Sequence, residues 1–447
     1  MNAVVKLGCR IRIRIGIQWA VAGWLLTLGT VSAANEAEAL GTGSNQEPDG
    51  ACASFYADDF ALVKGKVTKP FQPSAKPARG TAVRESAFGT CTVRSTDHRA
   101  DGINGFTRND YSRRQAFNTD NTRQLVYALD GHWHLYDAKT YQHIKVLNGP
   151  AGDAEPQWSA KSPSQLFYLP TNGRGMKVYK LDVTTNQTVT VGDLASRLKA
   201  RWPAAQGAWT RSEGSPSADG RFWCFLVDDA NFEGLGLVTW DKNTDTITGM
   251  MDLHGDRPDH VSMSPTGRYC VASWYGGPGV IAYKRDFSSS KTIARIGEHS
   301  DIGLDANGED QFVSVDYGSD RGAVFMVNLR TGARVNLFPT YLDGTATALH
   351  ISAKSFRKPG WFVMSTYAEY GDSQQWLHRK ISVVQMAANP KIYNIAHTHV
   401  KSNGYWTEPM ASVNRDLTKI VWTSNWDLDT DTDVDTYMVQ IPSTSIP

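Results

Sequence analysis

Read in steps of two residues, the sequence sets ionisable side chains at matching places in successive segments. One column holds Arg114, Glu155, Glu213, His260, Asp301, Ala348 and Glu408; the next holds Ala116, Gln157, Ser215, Ser262, Gly303, His350 and Met410. Side chains two apart on a strand share a face, so each column describes one side of a set of equivalent strands. The first column is almost wholly ionisable, and His299 falls just outside it. A water-filled channel also asks for polar side chains. Carboxylates facing imidazoles with an arginine nearby go further, because mutual charge shifts their pKa values and equips them for acid–base chemistry. A site is therefore expected there, with Glu155, Gln157, Glu213 and Glu408 facing a ligand and Tyr405 and Trp406 offering aromatic surface.

Other segments carry weaker signals. His397-Thr398-His399 has the spacing that puts two imidazoles on one face of a strand, as metal sites need; the other reading is an exposed connection. Asp427, Asp429, Asp431, Asp433 and Asp435 alternate along a loop, but the glycine of an EF-hand loop is missing, so a solvated acidic loop is expected. His132, His134 and His143 read as ordinary strand or turn residues. There is no phosphate-cradling glycine loop, nucleophile elbow or paired CxxC motif.

The elements that must position the columns come from a repeat. Its clearest copies are Ser264-Pro265-Thr266-Gly267-Arg268-Tyr269-Cys270-Val271 and Ser217-Ala218-Asp219-Gly220-Arg221-Phe222-Trp223-Cys224, a turn followed by aromatic and β-branched residues. Seven copies are marked by Arg123, Gln165, Arg221, Arg268, Glu309, Trp361 and Lys419, at intervals of 42, 56, 47, 41, 52 and 58 residues. That spacing suits four-stranded propeller blades of ~40 to 50 residues, the longer intervals implying inserted loops. Second hairpins such as Trp133-His134-Leu135-Tyr136-Asp137 and Leu237-Val238-Thr239-Trp240-Asp241 supply the outer strands. The expected fold is all-β, a seven-bladed β-propeller over 90–447, with an amino-terminal extension over 51–89. The last blade runs out after Thr436–Ile441, so Gly89–Ser95 is expected to supply its missing strand and close the ring.

Composition limits the partners. The net charge is +1 and basic residues are scattered, so the electrostatic footprint of a nucleic-acid binder is absent. Lys6, Arg10, Arg12 and Arg14 precede an apolar stretch over 15–28 and then Val31-Ser32-Ala33, the order of a secretory signal over 1–33 cleaved after Ala33, with a flexible linker over 34–50. The apolar run falls short of the ~20 residues of a membrane span. The mature chain is therefore expected to be periplasmic or secreted, without a transmembrane span. Removing Cys9 leaves Cys52, Cys91, Cys224 and Cys270, which permit two disulfides in an oxidising compartment. Of three connectivities, Cys52–Cys91 with Cys224–Cys270 is favoured; the latter two cysteines fall in register in consecutive repeats, and free buried thiols are the alternative there.

The segments Asp259-His260-Val261-Ser262-Met263-Ser264-Pro265 and Ser264–Arg268 resemble the repeat of periplasmic WD40-like and TolB-type propellers. More narrowly, the histidine-bearing channel positions resemble those of the seven-bladed polysaccharide lyases, which include oligogalacturonate lyases and some ulvan lyases. That resemblance implies β-elimination on uronate-containing polysaccharides or oligosaccharides, with His260 as base and Arg114 or Arg257 meeting the uronate carboxylate. It also implies a divalent metal ion as the other means of neutralising that carboxylate, with His299, His350, His397 and His399 as ligands. Where the oligogalacturonate lyases carry a His-x-His pair on the last blade, this chain has Glu408 and Met410. Two other readings use the same mouth: a non-catalytic glycan or protein binder with Trp209, Tyr275, Tyr405 and Trp406 as platforms, and a scaffold contacting an envelope protein.

Overall fold

Each repeat folds into a hairpin because its turn residues serve the backbone. The Ser217 and Ser264 hydroxyls accept the amide N–H groups of Phe222 (2.9 Å) and Tyr269 (3.1 Å), closing the link between first and second strands. Gly220 and Gly267 take φ of +72° and +71°, a conformation that favours glycine. Across the next hairpin Asp137, Asp182 and Asp241 cap a turn by accepting backbone N–H groups. Arg123 and Arg221, which follow the first turn, pair with Asp137 and Asp241 and so tie the two hairpins of a blade together.

The computed structural model describes residues 46–447 apart from 276, 298, 320, 344–346, 368–373 and 403. The signal expected over 1–33 and most of the linker lie outside these residues. Seven antiparallel sheets follow one another along the chain, each built around four strands, as a seven-bladed β-propeller. Blade four is representative: His260–Met263, Tyr269–Ser273, Val280–Lys284 and Ser290–Ala294 pair in that order. Its apolar side chains pack on those of its neighbours, so the core lies between blades; one cluster joins Cys224, Leu226 and Leu237 of blade three to Val261, Met263 and Ala272 of blade four. The 56-residue interval accommodates the helix Ala195–Arg201, the single α-helix among the described residues.

Blade seven closes as the sequence predicts. Its strands Ser412–Val413, Lys419–Ser424 and Asp435–Gln440 are completed by Cys91–Arg94, with Cys91 opposite Gln440 and Val93 opposite Met438. The extension adds a fifth strand to two blades: Ala82–Arg84 beside Cys91–Arg94, and Val63–Lys64 beside Ile392–His397. Both favoured disulfides are present. Cys52–Cys91 fastens the extension to the closing strand, and Cys224–Cys270 joins the second strands of blades three and four, whose Cα atoms approach to 5.7 Å.

The inner strands depart from the columns. His260, Asp301, Ala348 and His350 do stand on inner strands, as expected. The inner strand of blade one is instead Thr107–Arg108, paired with Tyr127 and Ala128; the ladder then breaks, and Phe117 pairs again with Gln124. Blade three's inner strand is Gly207–Trp209, so Glu213 and Ser215 lie beyond its end; Glu408 and Met410 precede that of blade seven. Arg114 and Ala116 are thus not strand residues. The broken ladders free side chains to reach across the channel.

Candidate functional site

The segment 109–115, released between Arg108 and Phe117, crosses the channel and is tied to several blades by its backbone and amides. The Arg113 carbonyl accepts the Ser215 hydroxyl (2.7 Å), and the Arg114 carbonyl accepts that of Ser412. Gln115 donates to the Lys354 carbonyl (2.7 Å) and Asn109 to that of Met410 (2.6 Å). These bonds hold Tyr111 and Arg113 in one orientation.

Arg113 is the residue on which the site converges. Its Nη1 pairs with Glu213 and lies 2.8 Å from Nε2 of His260, and its guanidinium lies over the Tyr111 ring at 5.0 Å. Burial is the largest influence and opposes the positive charge, but Glu213, Tyr111, Asp301 and Asp259 together outweigh it and raise the pKa. His260 turns Nδ1 to Asp259 (3.2 Å) and Glu213 (3.4 Å). Burial also opposes the Glu213 charge, and Arg113 with His260 pulls that pKa down. The Asp259 carboxylate, bonded to His260 and paired with Arg211, falls to about 2.

A second chain runs from the same tyrosine. The Tyr111 hydroxyl is 3.2 Å from Nδ1 of His299, which is 2.9 Å from Nδ1 of His350, whose Nε2 is 2.7 Å from Glu408. His350 is fully buried and stacks on Tyr367 at 5.3 Å. Burial, with the nearby Arg113 charge, lowers both histidines to about 3, so both are neutral imidazoles at ordinary pH. His299 is the partly exposed member, and its Nε2 has no hydrogen-bond partner among the described residues. Burial raises the Glu408 pKa. Tyr405 and Trp406 are exposed nearby, with the Arg108 guanidinium 5.1 and 5.0 Å from their rings.

The structure therefore brings together His260, His299, His350, Glu213 and Glu408, with Tyr405 and Trp406 near their edge through Arg108. It places the remaining sequence-predicted residues elsewhere. Glu155 is buried and accepts the Thr210 and Ser212 amides and the Thr210 hydroxyl, while Gln157 donates to the Gly214 carbonyl. Both shape the 210–214 loop that presents Glu213 instead of facing a ligand. Arg114 turns to Asp110 and the Ser212 carbonyl. Arg257 is held by both oxygens of Asp228 (3.1 and 2.7 Å) and lines an open cleft of about 420 Å³ that adjoins the cluster through Asp259, with Arg211 and Tyr275. Trp209 is buried against the same Asp228. His397 bonds Glu85 (3.0 Å) and His399 bonds Asp427 (2.8 Å) at the outer side of blade six, with Phe71 packed against both rings.

Arg113 and Tyr111 were missed because the column reading assumed an unbroken strand and so selected Arg114. The one available signal was the Tyr111-Ser112-Arg113-Arg114 run itself, which has no apolar alternation to bury.

Among the described residues, two groups of three donors come close enough to hold a metal ion: Glu213 with Asp259 and His260, and His98 with Asp433 and Asp435. Each already faces fixed cations. Arg113 and Arg211 stand on the first group, and Lys76 and Arg94 on the second. At the mouth, His299 and His350 offer one nitrogen each to a common point, and Glu408 binds the far nitrogen of His350. With a buried guanidinium beside them, these donors do not fit a divalent ion at the mouth.

No model of a known protein family matches the sequence, and no curated protein matches it. Among solved structures, an oligogalacturonate lyase in complex with manganese is similar at 15% identity and a TM-score of 0.58, over 81% of this chain and 96% of that one. An oligogalacturonate lyase from Vibrio parahaemolyticus is similar at 13% identity and a TM-score of 0.58, over 82% and 97%. At this identity the likeness is one of fold: the chain is a seven-bladed propeller shaped like those lyases throughout nearly their whole length.

Proposed function

We propose that the protein is exported and cleaves uronate-containing glycans by β-elimination at the channel mouth formed around segment 109–115. The observation that carries this reading is the neutral His299, whose Nε2 has no partner among the described residues, in one cluster with the Arg113 guanidinium. Elimination next to a uronate carboxylate needs both parts. The base removes the C5 proton, the electron pair forms the C4–C5 double bond, and the C4–O bond breaks, its oxygen taking a proton from solvent. The negative charge developing at the carboxylate is stabilised by a cation, and Arg113 is the candidate.

His299 replaces His260 as the base in this scheme. Both nitrogens of His260 are engaged, Nε2 by Arg113 and Nδ1 by Asp259. Among the described residues nothing bonds Nε2 of His299, and His350 and Glu408 are aligned behind the ring to share the proton it gains. A uronate carboxylate arriving beside it adds the negative charge that strengthens it as a base. Tyr405 and Trp406 give a sugar ring apolar faces to stack on. The two disulfides support export, since such bonds persist in oxidising compartments.

The test is incubation of the purified mature chain with a panel of uronate polysaccharides and their oligosaccharides, following the ultraviolet absorbance of the unsaturated product. Absorbance that rises equally with and without a chelator supports the arginine-based scheme. A rise abolished by chelator overturns the role given to Arg113. No rise, with retention on a glycan column that Trp406→Ala abolishes, replaces the lyase by a binding propeller, the reading the exposed aromatic pair favours.

A further inference from the structure

Three histidines that the sequence presents as ordinary strand residues meet at the outer edge of blade one, far along the sheet from the channel strand. His132 and His134 lie two apart on the third strand, His132–Asp137, and His143 begins the outermost strand, His143–Ala151. A register shift between these strands brings His143 towards His134: Tyr136 is opposite His143, yet Nδ1 of His134 lies 3.1 Å from Nε2 of His143. On its other side, Nε2 of His134 faces the Asp130 carboxylate at 3.1 and 3.4 Å. A carboxylate only accepts hydrogen bonds, so Nε2 carries the proton and Nδ1 accepts the hydrogen bond donated by His143 Nε2–H, whose proton a bound metal ion would displace.

We propose that His134 Nδ1 and His143 Nε2 form a binding site for a borderline divalent transition-metal ion such as Zn²⁺, oriented from behind by Asp130. Two nitrogens bound to one such ion at the usual metal–nitrogen length of ~2.0–2.1 Å lie roughly 2.9 to 3.4 Å apart, and the observed separation falls within that span. Imidazole donors suit zinc, copper and nickel. A carboxylate on the second nitrogen of a ligating histidine fixes its tautomer and raises its basicity, the part Asp130 plays here. His134 is buried. His143 is partly exposed, which leaves the remaining coordination positions open to water or to His132, an exposed imidazole on the same face of the strand. Among the described residues no lysine or arginine is paired with Asp130, in contrast to the acidic groups already neutralised elsewhere.

The test is calorimetric titration of Zn²⁺ into the untagged, chelator-stripped chain, repeated on His143→Ala, Asp130→Asn and His299→Ala. The expected result is one equivalent bound by the native chain and by His299→Ala, loss of that equivalent in His143→Ala, and weakening by ~10–100-fold in Asp130→Asn. Circular dichroism verifies that each variant keeps its sheet. Absence of binding to the native chain, or an equivalent retained by His143→Ala, overturns the proposal. Loss in His299→Ala with retention in His143→Ala moves the ion to the channel mouth. The result is independent of glycan cleavage, which His143→Ala leaves unchanged.

Discussion

Nη1 of Arg113 stands 2.8 Å from Nε2 of His260, and this contact decides the histidine's tautomer. A guanidinium only donates, so Nε2 is the acceptor and the proton resides on Nδ1, where Asp259 receives it at 3.2 Å. One arginine thus fixes an imidazole, neutralises Glu213 and covers the Tyr111 ring.

Removing that arginine is expected to cost both stability and turnover. Arg113→Ala leaves Glu213 without its partner in a largely buried setting, and breaking a buried pair from one side costs about 3–5 kcal/mol. The partial exposure of Glu213 puts this variant at the low end. Arg113→Ala combined with Glu213→Ala removes the orphaned charge, so denaturant unfolding should show part of the stability regained. Glycan cleavage should stay absent in both, because the carboxylate-stabilising cation is still missing. Turnover in the double variant would sink the role assigned to Arg113.

The histidine pair makes acid the weak side of this protein. His299 and His350 titrate near 6.5 in the unfolded chain and near 3 when folded, so the unfolded state binds more protons between those values. Their contribution to stability is whole above about pH 6.5 and is lost progressively as the pH falls towards 3. The thermal midpoint of the native chain is expected to decline across that window, and His350→Ala should decline less steeply. In the lyase scheme the acid limb of kcat/KM should fall below the ordinary histidine range, since His299 remains unprotonated there.

The blades were legible because their signals are local. Ser264, Gly267 and Tyr269 lie within six residues, and the turn they make is stabilised by a hydroxyl–amide bond inside the same segment. The closing strand was legible for a different reason: Asp435–Gln440 would otherwise expose an unpaired edge, and Cys91–Arg94 supplies the missing ladder. The site was legible at His260 and His350, on continuous inner strands, and at Glu213, His299 and Glu408, which flank inner strands; it was lost between Arg108 and Phe117. At Arg108 the ladder breaks, and the orientation of the next seven residues is set by Ser215, Lys354, Met410 and Ser412, up to 301 positions away. No periodicity within 109–115 encodes those partners.

Cys224–Cys270 ties blades three and four through second strands that share an apolar cluster. Its residues are 46 apart, and a crosslink of that span removes enough freedom from the unfolded chain to contribute about 2–4 kcal/mol. Cys224→Ser with Cys270→Ser should lower the denaturant midpoint accordingly while the far-ultraviolet spectrum is kept. An unchanged midpoint would mean that the packing around Leu226, Leu237 and Val261 already fixes the two blades.

Ring closure should respond to a single backbone donor. Val93 is fully buried, and its strand is paired on both sides, with Ala82 on one and Met438 on the other. Val93→Pro removes an N–H from that ladder and leaves a carbonyl without its partner, a loss of roughly 1–3 kcal/mol before any distortion of the strand is added. The expected outcome is a lower unfolding midpoint with faster proteolysis at blades one and seven. Substitution of Val63, in the short fifth strand of blade six, should do much less, because blade six already has four strands of its own.

Trp406 offers the test of how a glycan is held, as distinct from how it is cut. Its ring is exposed on one side and stacks on Phe106 on the other, with the Arg108 guanidinium alongside. Phe106 is buried, so the indole is fixed without a ligand and presents a preformed face to a sugar. Trp406→Ala should raise KM on oligosaccharides by about tenfold, corresponding to ~1.4 kcal/mol of stacking, with kcat little changed. Stacking energy of this kind is present equally in the bound substrate and the transition state, which is why it appears in KM. A fall in kcat at constant KM would instead place Trp406 against the reacting bond, and the base and cation would then have to be sought around Arg108 in place of Arg113.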